Sequence, residues 1–595
     1  MTSAVLSAPP PERSLAWPVA HPLLWFALIA AAHVATRVGV SSALKWDEAE
    51  QMIWSQQLLP GYGTQPPLYT WLQWGANALL GPGVLALATL KQTLLALTYA
   101  LMWLAAREVL PPRAAFWASA GMVLIPSLGW FSIRDQTHTI LVTTMACGAW
   151  WMLVRIVRHR RQADFAWLGL FCGLGMLAKY NFALFAGALL LAALSVPEAR
   201  RALLARGWWW TPLVALLVVL PHGLWLLGHL QQASDGTLRK MEMGGRSPLA
   251  TGLRELAIAW FGSVLLWALA ALSVREARRA LLARGWWWTP LVALLVVLPH
   301  GLWLLGHLQQ ASDGTLRKME MGGRSPLATG LRELAIAWFG SVLLWALAAL
   351  AAFGGAWWRR PPDADADAAA TRTRWLAQVG WRYLMVVTLP LIGMVLVAHV
   401  TSFRDRWLLP LMCGFPLIAM AARPWLDTLR GGRRMTWAIV GFALLTVLVA
   451  GMRPWLAARD KTPDELNHPI AELGIALRQA GYDGTSPILG ADHMLAGALR
   501  TRFPLATVDA CGEHEPPAPC IDDFLTKVAR PGGGWLIVSR ADRLDPTWWT
   551  DTLKALPAGS AAQGTRSIEL PFHMVREGAA PAHYDYLWHP PTHQP

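Results

Sequence analysis

The sequence predicts an all-α polytopic membrane protein that ends in a small α/β domain, on three observations. Of its 595 residues 55% are hydrophobic and only 15% charged, against about 25% charged in a soluble protein. Apolar runs of about 17–25 residues, long enough to cross a bilayer as helices, recur along most of the chain. Lipid offers backbone groups no water, so such runs must close their hydrogen bonds internally. Beyond about residue 454 the pattern changes to short apolar strand-like runs (487–490, 535–538, 568–570) alternating with helical stretches, the mark of a small α/β domain.

Taken in order, residues 1–18 are Pro-rich and read as a disordered N-terminus. The first apolar run lacks a small-residue cleavage site and is expected to be retained as a helix. Helices are expected over 19–36, 84–105 and 114–131, then in a run ending at Arg155, over 165–178, and in a run reaching about residue 196. A long polar loop, 37–81, separates the first two. Residues 194–271 then reappear as 272–349, an offset of 78 residues (272 − 194), with Pro197 against Arg275 as the one difference. Each copy holds two apolar spans, starting near Trp208 and Leu256 and again near Trp286 and Leu334. An even number of added spans keeps everything downstream on its original side of the membrane. A solvated linker is expected over 363–370, followed by helices over 379–398, 408–422 and 435–452. About thirteen transmembrane helices result, or about eleven without the extra copy. The expected domains are therefore a transmembrane domain over 19–453 and a soluble domain over 454–595.

The net charge of +14 does not point to nucleic acid. Its arginines cluster in short loops between apolar runs, as the positive-inside rule requires. Those loops follow every second helix, which puts the N-terminus in the cytoplasm. Loop 37–81, the turn at Asp135, Lys179, Arg404 and the C-terminal domain are then expected on the opposite side. Many of the 36 tryptophans lie near the ends of apolar runs, as in Trp208-Trp209-Trp210, which fits an aromatic belt. Cys147, Cys172 and Cys413 lie in apolar runs and are expected to pack. Cys511 and Cys520 can pair as a disulfide if the tail is outside the cytoplasm. No Cys/His spacing suggests zinc.

The charged residues of the non-cytoplasmic face are the candidates for chemistry. Loop 37–81 carries Lys45-Trp46-Asp47-Glu48-Ala49-Glu50-Gln51, then Gly61-Tyr62-Gly63-Thr64-Gln65-Pro66-Pro67. Neighbouring residues on a helix point about 100° apart, so Asp47 and Glu48 are not expected to share one role. Asp47, Gln51 and Ser55 make a polar stripe and Trp46, Ala49 and Ile53 an apolar one, the pattern of a helix lying on a membrane surface. A solvated acidic face is the alternative for the carboxylates. Asp135 and His138 share a tight turn; Asp135 is otherwise an N-cap or a partner for Arg134. Lys179 breaks an apolar stretch on the face where lysine is least expected. Arg404 and Arg406 are further cations there. Carboxylates serve proton abstraction, and Lys and Arg bind phosphate. The paired Asp47 and Glu48 could also hold a divalent cation, although nothing else has metal-ligand spacing. The repeated loops bring Arg239, Lys240 and Glu242, and again Arg317, Lys318 and Glu320.

Asp47-Glu48, Gly61-Tyr62 and Gln65-Pro66-Pro67-Leu68, then Gly173-Leu174 through Lys179-Tyr180, then Arg406-Trp407-Leu408-Leu409-Pro410, resemble the bacterial dolichyl-phosphate-mannose protein mannosyltransferase-like family, which includes the aminoarabinose transferases of lipid A. The resemblance spans about residues 15–452. It implies a GT-C fold with a catalytic first external loop and a soluble external domain, in the bacterial inner membrane. It also implies inverting transfer of a sugar from a polyprenyl-phosphate carrier to a lipid, glycan or protein acceptor. Asp47 would be the catalytic acidic residue and Glu48 its partner; Lys179 and Arg404 or Arg406 would face the donor phosphate, with Asp135, His138, Tyr62, Gln65 and Tyr180 lining the substrate. Two positions depart from the family pattern: Gln65 stands where His is common before the Pro-Pro pair, and Trp407 where Tyr often follows the Arg. The competing reading is a transporter or flippase of a lipid-linked anion. That calls for ionisable groups near the membrane midplane and inverted repeats, whereas the repeat here is direct.

Overall fold

The computed structural model describes residues 16–62, 65–134, 136–228, 326–358, 364–398, 403, 405–428, 431–459, 463–511, 517–529, 532–540, 547–557, 564–575 and 580–591. Asp135, Arg404 and the charged residues of both repeated loops lie outside these. So does most of the duplication. Of the duplication, residues 194–228 of the first copy and 326–349 of the second are described.

The helices in order are α1 (Trp17–Ala20), α2 (Pro22–Val40), α3 (Trp46–Trp54), α4 (Leu68–Leu80), α5 (Val84–Arg107), α6 (Pro112–Ser119), α7 (Ser132–Arg134), α8 (His138–His159), α9 (Gln162–Ala178), α10 (Phe182–Ser195), α11 (Pro197–Leu203) and α12 (Trp210–Gly228). They continue with α13 (Pro326–Phe353), α14 (Ala364–Ala398), α15 (Asp405–Met412), α16 (Phe415–Ala422) and α17 (Gly432–Arg459). Among the described residues six helices are long and apolar enough to cross a membrane, or seven if the bent pair α10–α11 counts as one span. Three shorter apolar helices, Gln162–Ala178, Trp210–Leu226 and Arg406–Ala422, accompany them. Their facing sides form one apolar core that includes Trp117, Trp150, Trp345 and Tyr383.

Two sequence expectations change. The helix expected over 114–131 is broken into α6, a 3-10 turn (Ala120–Leu124) and a π-turn (Ser127–Phe131). Pro126 lies between these turns; it has no N–H to continue a ladder and restricts the residue before it. The linker expected over 363–370 is instead largely the first turns of the 35-residue α14, because its alanines favour helix.

The C-terminal domain holds a five-stranded sheet in the order β2-β1-β3-β5-β4. Its strands are β1 (Ile488–Gly490), β2 (Val508–Ala510), β3 (Trp535–Arg540), β4 (Arg566–Leu570) and β5 (Ala582–His589). β1 runs parallel to β2 and β3, while β5 runs antiparallel to β3 and β4. Around the sheet lie α18 (Ile470–Gln479), α19 (His493–Arg502), α20 (Pro517–Lys527) and α21 (Trp548–Ala555). Cys511 and Cys520 form a disulfide.

The loop helix α3 belongs to the core of this domain. Ala43, Leu44, Ala49, Met52 and Ile53 pack in one buried cluster with Leu473, Leu495, Leu499 and Tyr584. The apolar stripe of α3 therefore faces protein rather than a membrane surface. Burial of Met52 and Ile53 alone is worth about 1.5–3 kcal/mol each. Polar ties join the same surfaces: the Gln56 side chain pairs with both backbone groups of Val508, at 2.7 and 2.8 Å, and Lys45 Nζ meets Glu465 Oε2 at 3.0 Å. The approach of α19 to α3 needs a glycine, since a Cβ on Gly497 would stand 2.5 Å from Ala49 Cα and its carbonyl oxygen.

Gly497→Val should therefore unseat the domain from α3, at about 1–3 kcal/mol of overpacking. Limited trypsin digestion of membranes should cleave the Arg453–Asp464 connection faster in this variant. Gly441→Val, where a Cβ meets nothing within 4 Å, is the control. Equal digestion of the two would show that the close approach does not hold the domain.

Candidate functional site

Loop 37–81 is ordered by one buried carboxylate. Glu48 is 2% exposed. Its Oε2 accepts from Arg37 Nη2 at 2.7 Å, and its Oε1 from Lys91 Nζ at 3.0 Å. It also accepts from the backbone N–H of Lys45 at 3.3 Å, closing a capping box at the start of α3. Arg37 continues to the carbonyls of Ser41 and Ala43, each at 2.7 Å. Burial alone would raise the pKa of the Glu48 carboxyl. The charges and hydrogen bonds of Arg37 and Lys91 outweigh it and hold the group well below the usual carboxylate range. Glu48 is thus a permanent anion whose oxygens are engaged, a poor base and a poor member of a shared cation site with Asp47. Among the described residues no three His, Cys, Asp or Glu side chains converge on a point that could hold a metal.

Asp47, one residue earlier, is half-buried. Its charge is felt by Tyr69 and Lys179. The buried Tyr69 hydroxyl has its pKa raised by burial first, then by the negative fields of Glu48 and Asp47. The Lys179 ammonium, in the turn after α9, is lowered to about 8 by burial and by the neighbouring charge of Arg406, with Asp47 pulling the other way. Asp47, Lys179 and Arg406 therefore share one electrostatic neighbourhood although 132 residues (179 − 47) separate the first two. Lys179 Nζ also donates to Thr139 Oγ1 at 3.1 Å.

His138 ties this neighbourhood together. Its Nε2 lies 3.3 Å from Gln51 Nε2 and its Nδ1 3.3 Å from the carbonyl oxygen of Ala178, beside Lys179. Its ring packs against Tyr69 at 5.4 Å. Gln51 accepts from Thr70 Oγ1 at 2.9 Å. The stripe expected to face solvent below Asp47 is thus turned inward: Gln51 and Ser55 are buried, and Ser55 accepts from Asn77 at 2.9 Å.

Tyr62 and Gln65 have local roles. The Tyr62 hydroxyl donates to the Gln57 carbonyl at 2.6 Å and accepts from the Leu59 N–H at 2.9 Å, which folds the loop back on itself. Gln65 closes a backbone bridge to Tyr62. Tyr180 is 40% exposed and bonds His222 Nε2 at 2.9 Å, while His222 Nδ1 reaches the Pro60 carbonyl at 2.8 Å. Trp225 of the same helix lies over Gly61, where a Cβ would run into its ring. The motif loop is therefore braced by the first repeat copy.

Sequence reasoning overlooked Arg37, Lys91, Tyr69 and His222. Lys91 carried a signal, being a lone charge in the apolar run of α5, where an ionisable residue marks a partner or a site. Tyr69 and His222 carried none.

The chain matches the family model described as dolichyl-phosphate-mannose-protein mannosyltransferase over residues 64–225. It is 27% identical over 552 residues to the lipopolysaccharide core galacturonosyltransferase RgtA of Rhizobium johnstonii, covering 92% of this chain and 93% of that one. Lipopolysaccharide core galacturonosyltransferase RgtB of the same organism is 36% identical over 301 residues, 49% of this chain and 60% of the relative. Among solved structures, ArnT from Cupriavidus metallidurans bound to undecaprenyl phosphate aligns at a TM-score of 0.41 and 15% identity, over 94% of this chain and 98% of that one. With the sequence relatives, the chain stands as a membrane glycosyltransferase similar to the dolichyl-phosphate-mannose-protein mannosyltransferases.

Proposed function

We propose that the chain transfers a sugar, with inversion, from a polyprenyl-phosphate carrier to an envelope glycolipid on the extracytoplasmic face of the bacterial inner membrane. The observation that carries this is the division between two adjacent carboxylates: Glu48 is locked between Arg37 and Lys91, while Asp47 shares its surroundings with the cations Lys179 and Arg406. A base beside two phosphate-binding cations suits a glycosyl phosphate donor. The family description names a dolichyl-phosphate sugar, and relatives named for lipopolysaccharide core and lipid A galacturonosyl transfer favour a glycolipid acceptor and a uronic acid. The Cys511–Cys520 disulfide supports placing the C-terminal domain outside the cytoplasm.

In the reaction the acceptor oxygen bonds to the anomeric carbon as the bond from that carbon to the phosphate oxygen breaks. Asp47 takes the acceptor's hydroxyl proton. The polyprenyl phosphate leaves with the electron pair, its charge met by Lys179 and Arg406. Attack from the face opposite the leaving group needs no covalent intermediate; the logic is that of inverting hydrolysis.

Asp47→Asn should lower transfer by about 10²–10⁴-fold, the usual worth of a general base, with unchanged membrane insertion. Mass spectrometry of envelope lipids from cells carrying either form reads this out, and full product from the variant would sink the mechanism.

The pH dependence tests the phosphate site. Lys179 is lowered from its ordinary 10.5 to about 8, so it is cationic below that value and neutral above it. Donor KM should rise as pH passes through about 8, and Lys179→Arg should move that limb upward because guanidinium stays charged. A limb unmoved by the Arg variant would remove Lys179 from donor binding.

A further inference from the structure

Asp47 and Lys179 stand on separate elements, the loop helix α3 and the turn after α9, and the start of α8 touches both elements. Gln51 lies one turn after Asp47 on the same face of α3. Its Nε2 meets His138 Nε2 at 3.3 Å, and His138 Nδ1 meets the Ala178 carbonyl oxygen at 3.3 Å. Thr139, the next residue, accepts from the Lys179 ammonium at 3.1 Å. His138 and Thr139 open a 22-residue helix most of which is buried, so they give both partners a firm reference.

The direction of each hydrogen bond follows from the donors and acceptors present. The Thr70 hydroxyl donates to Gln51 Oε1 at 2.9 Å, which leaves Gln51 Nε2 to donate. His138 Nε2 then accepts, and its Nδ1 carries the proton given to Ala178. In this arrangement the ring holds one proton; a second would set an N–H against the Gln51 amide. Gln51 is fully buried and His138 is 7% exposed. Both ring nitrogens are engaged by protein, so His138 is placed to act through its neighbours.

We propose that Gln51 and His138 are positioning residues, a hydrogen-bonded link that holds the α3 face bearing Asp47 in register with the turn bearing Lys179. The inference rests on the function proposed above, in which Asp47 takes the acceptor's proton and Lys179 meets the leaving phosphate. Glu48 ties α3 to α2 and α5, and the C-terminal domain packs on Ala49, Met52 and Ile53. Neither of these ties refers the helix to the Lys179 turn. An inverting transfer needs the base and the phosphate-binding cations on opposite sides of one anomeric carbon. Their relative placement therefore matters as much as the presence of either, and an error of about 1 Å costs about 10²-fold.

The test uses the full chain in phosphatidylcholine nanodiscs, with undecaprenyl-phosphate galacturonic acid as donor and envelope lipid from cells lacking the gene as acceptor. Single-turnover rate and donor KM are measured together. His138→Phe keeps a ring to pack on Tyr69 but neither nitrogen. Its rate should fall by about 10²-fold, with donor KM within about threefold of the parent. Gln51→Met, which breaks the other end of the link, should match it. His138→Gln, whose amide again offers a donor and an acceptor, should recover to within about tenfold of the parent. In an Asp47→Asn background His138→Phe should cost less than about threefold, because the group it positions is gone. Equal losses with and without Asp47, or a loss confined to donor KM, would overturn the proposal. Amide hydrogen exchange needs no sugar transfer. Exchange over residues 46–54 should quicken roughly fivefold in His138→Phe and Gln51→Met, the effect of one neutral hydrogen bond. Unchanged exchange with transfer intact refutes the link alone, and faster exchange in variants of a protein that transfers no sugar refutes the function alone.

Discussion

The arrangement depends on one buried anion, Glu48, shared by Arg37 and Lys91. The three residues come from α3, α2 and α5, so a single carboxylate fixes the loop helix to two membrane-spanning neighbours. Two charges taken from water return little net stability when paired, but removing one of them leaves an uncompensated charge and costs about 3–5 kcal/mol. Glu48 is therefore a structural constraint that cannot be relaxed piecemeal. Its neighbour Asp47 remains half-buried, in one electrostatic neighbourhood with Lys179 and Arg406.

The opposite face of α3 is held by the C-terminal domain through Ala49, Met52 and Ile53. The helix bearing the proposed base is thus clamped from below by ion pairs and from above by apolar packing. Lys45 and Arg453, with Asp464 and Glu465, lock the margin of that clamp. Such support from both sides is what keeps a side chain within the narrow tolerance that positioning catalysis demands. The domain then has a positioning role for the loop.

Much of this was legible in the sequence because length and hydropathy alone select membrane helices. The α/β character of the tail showed in its short strands, and the Asp47–Glu48 loop stood out as charge between apolar runs. That the two carboxylates have different surroundings followed from helical geometry. What was not legible depended on tertiary partners. The apolar stripe of α3 was expected at a membrane surface because periodicity identifies a buried face without saying what covers it. The break of the 114–131 helix was hidden in a continuous apolar run, although Pro126 marked the place. The partners of the Tyr62 and Tyr180 hydroxyls, Gln57, Leu59 and His222, come from elsewhere in the fold and leave no mark in the motif.

The central claim is that Asp47 acts in the chemical step while Glu48 supports the fold. Single-turnover rates at saturating donor and acceptor separate the two. A Glu48→Gln/Lys91→Met double variant removes the buried carboxylate together with one of its cations, so that less charge is stranded, whereas Asp47→Asn leaves the ion pairs intact. The account predicts that the folded double variant keeps its single-turnover rate within about tenfold of the parent, while Asp47→Asn loses the 10²–10⁴-fold expected of a missing base, at about unchanged donor affinity. A double variant as slow as Asp47→Asn, or an Asp47→Asn whose loss lies wholly in donor binding, would contradict it.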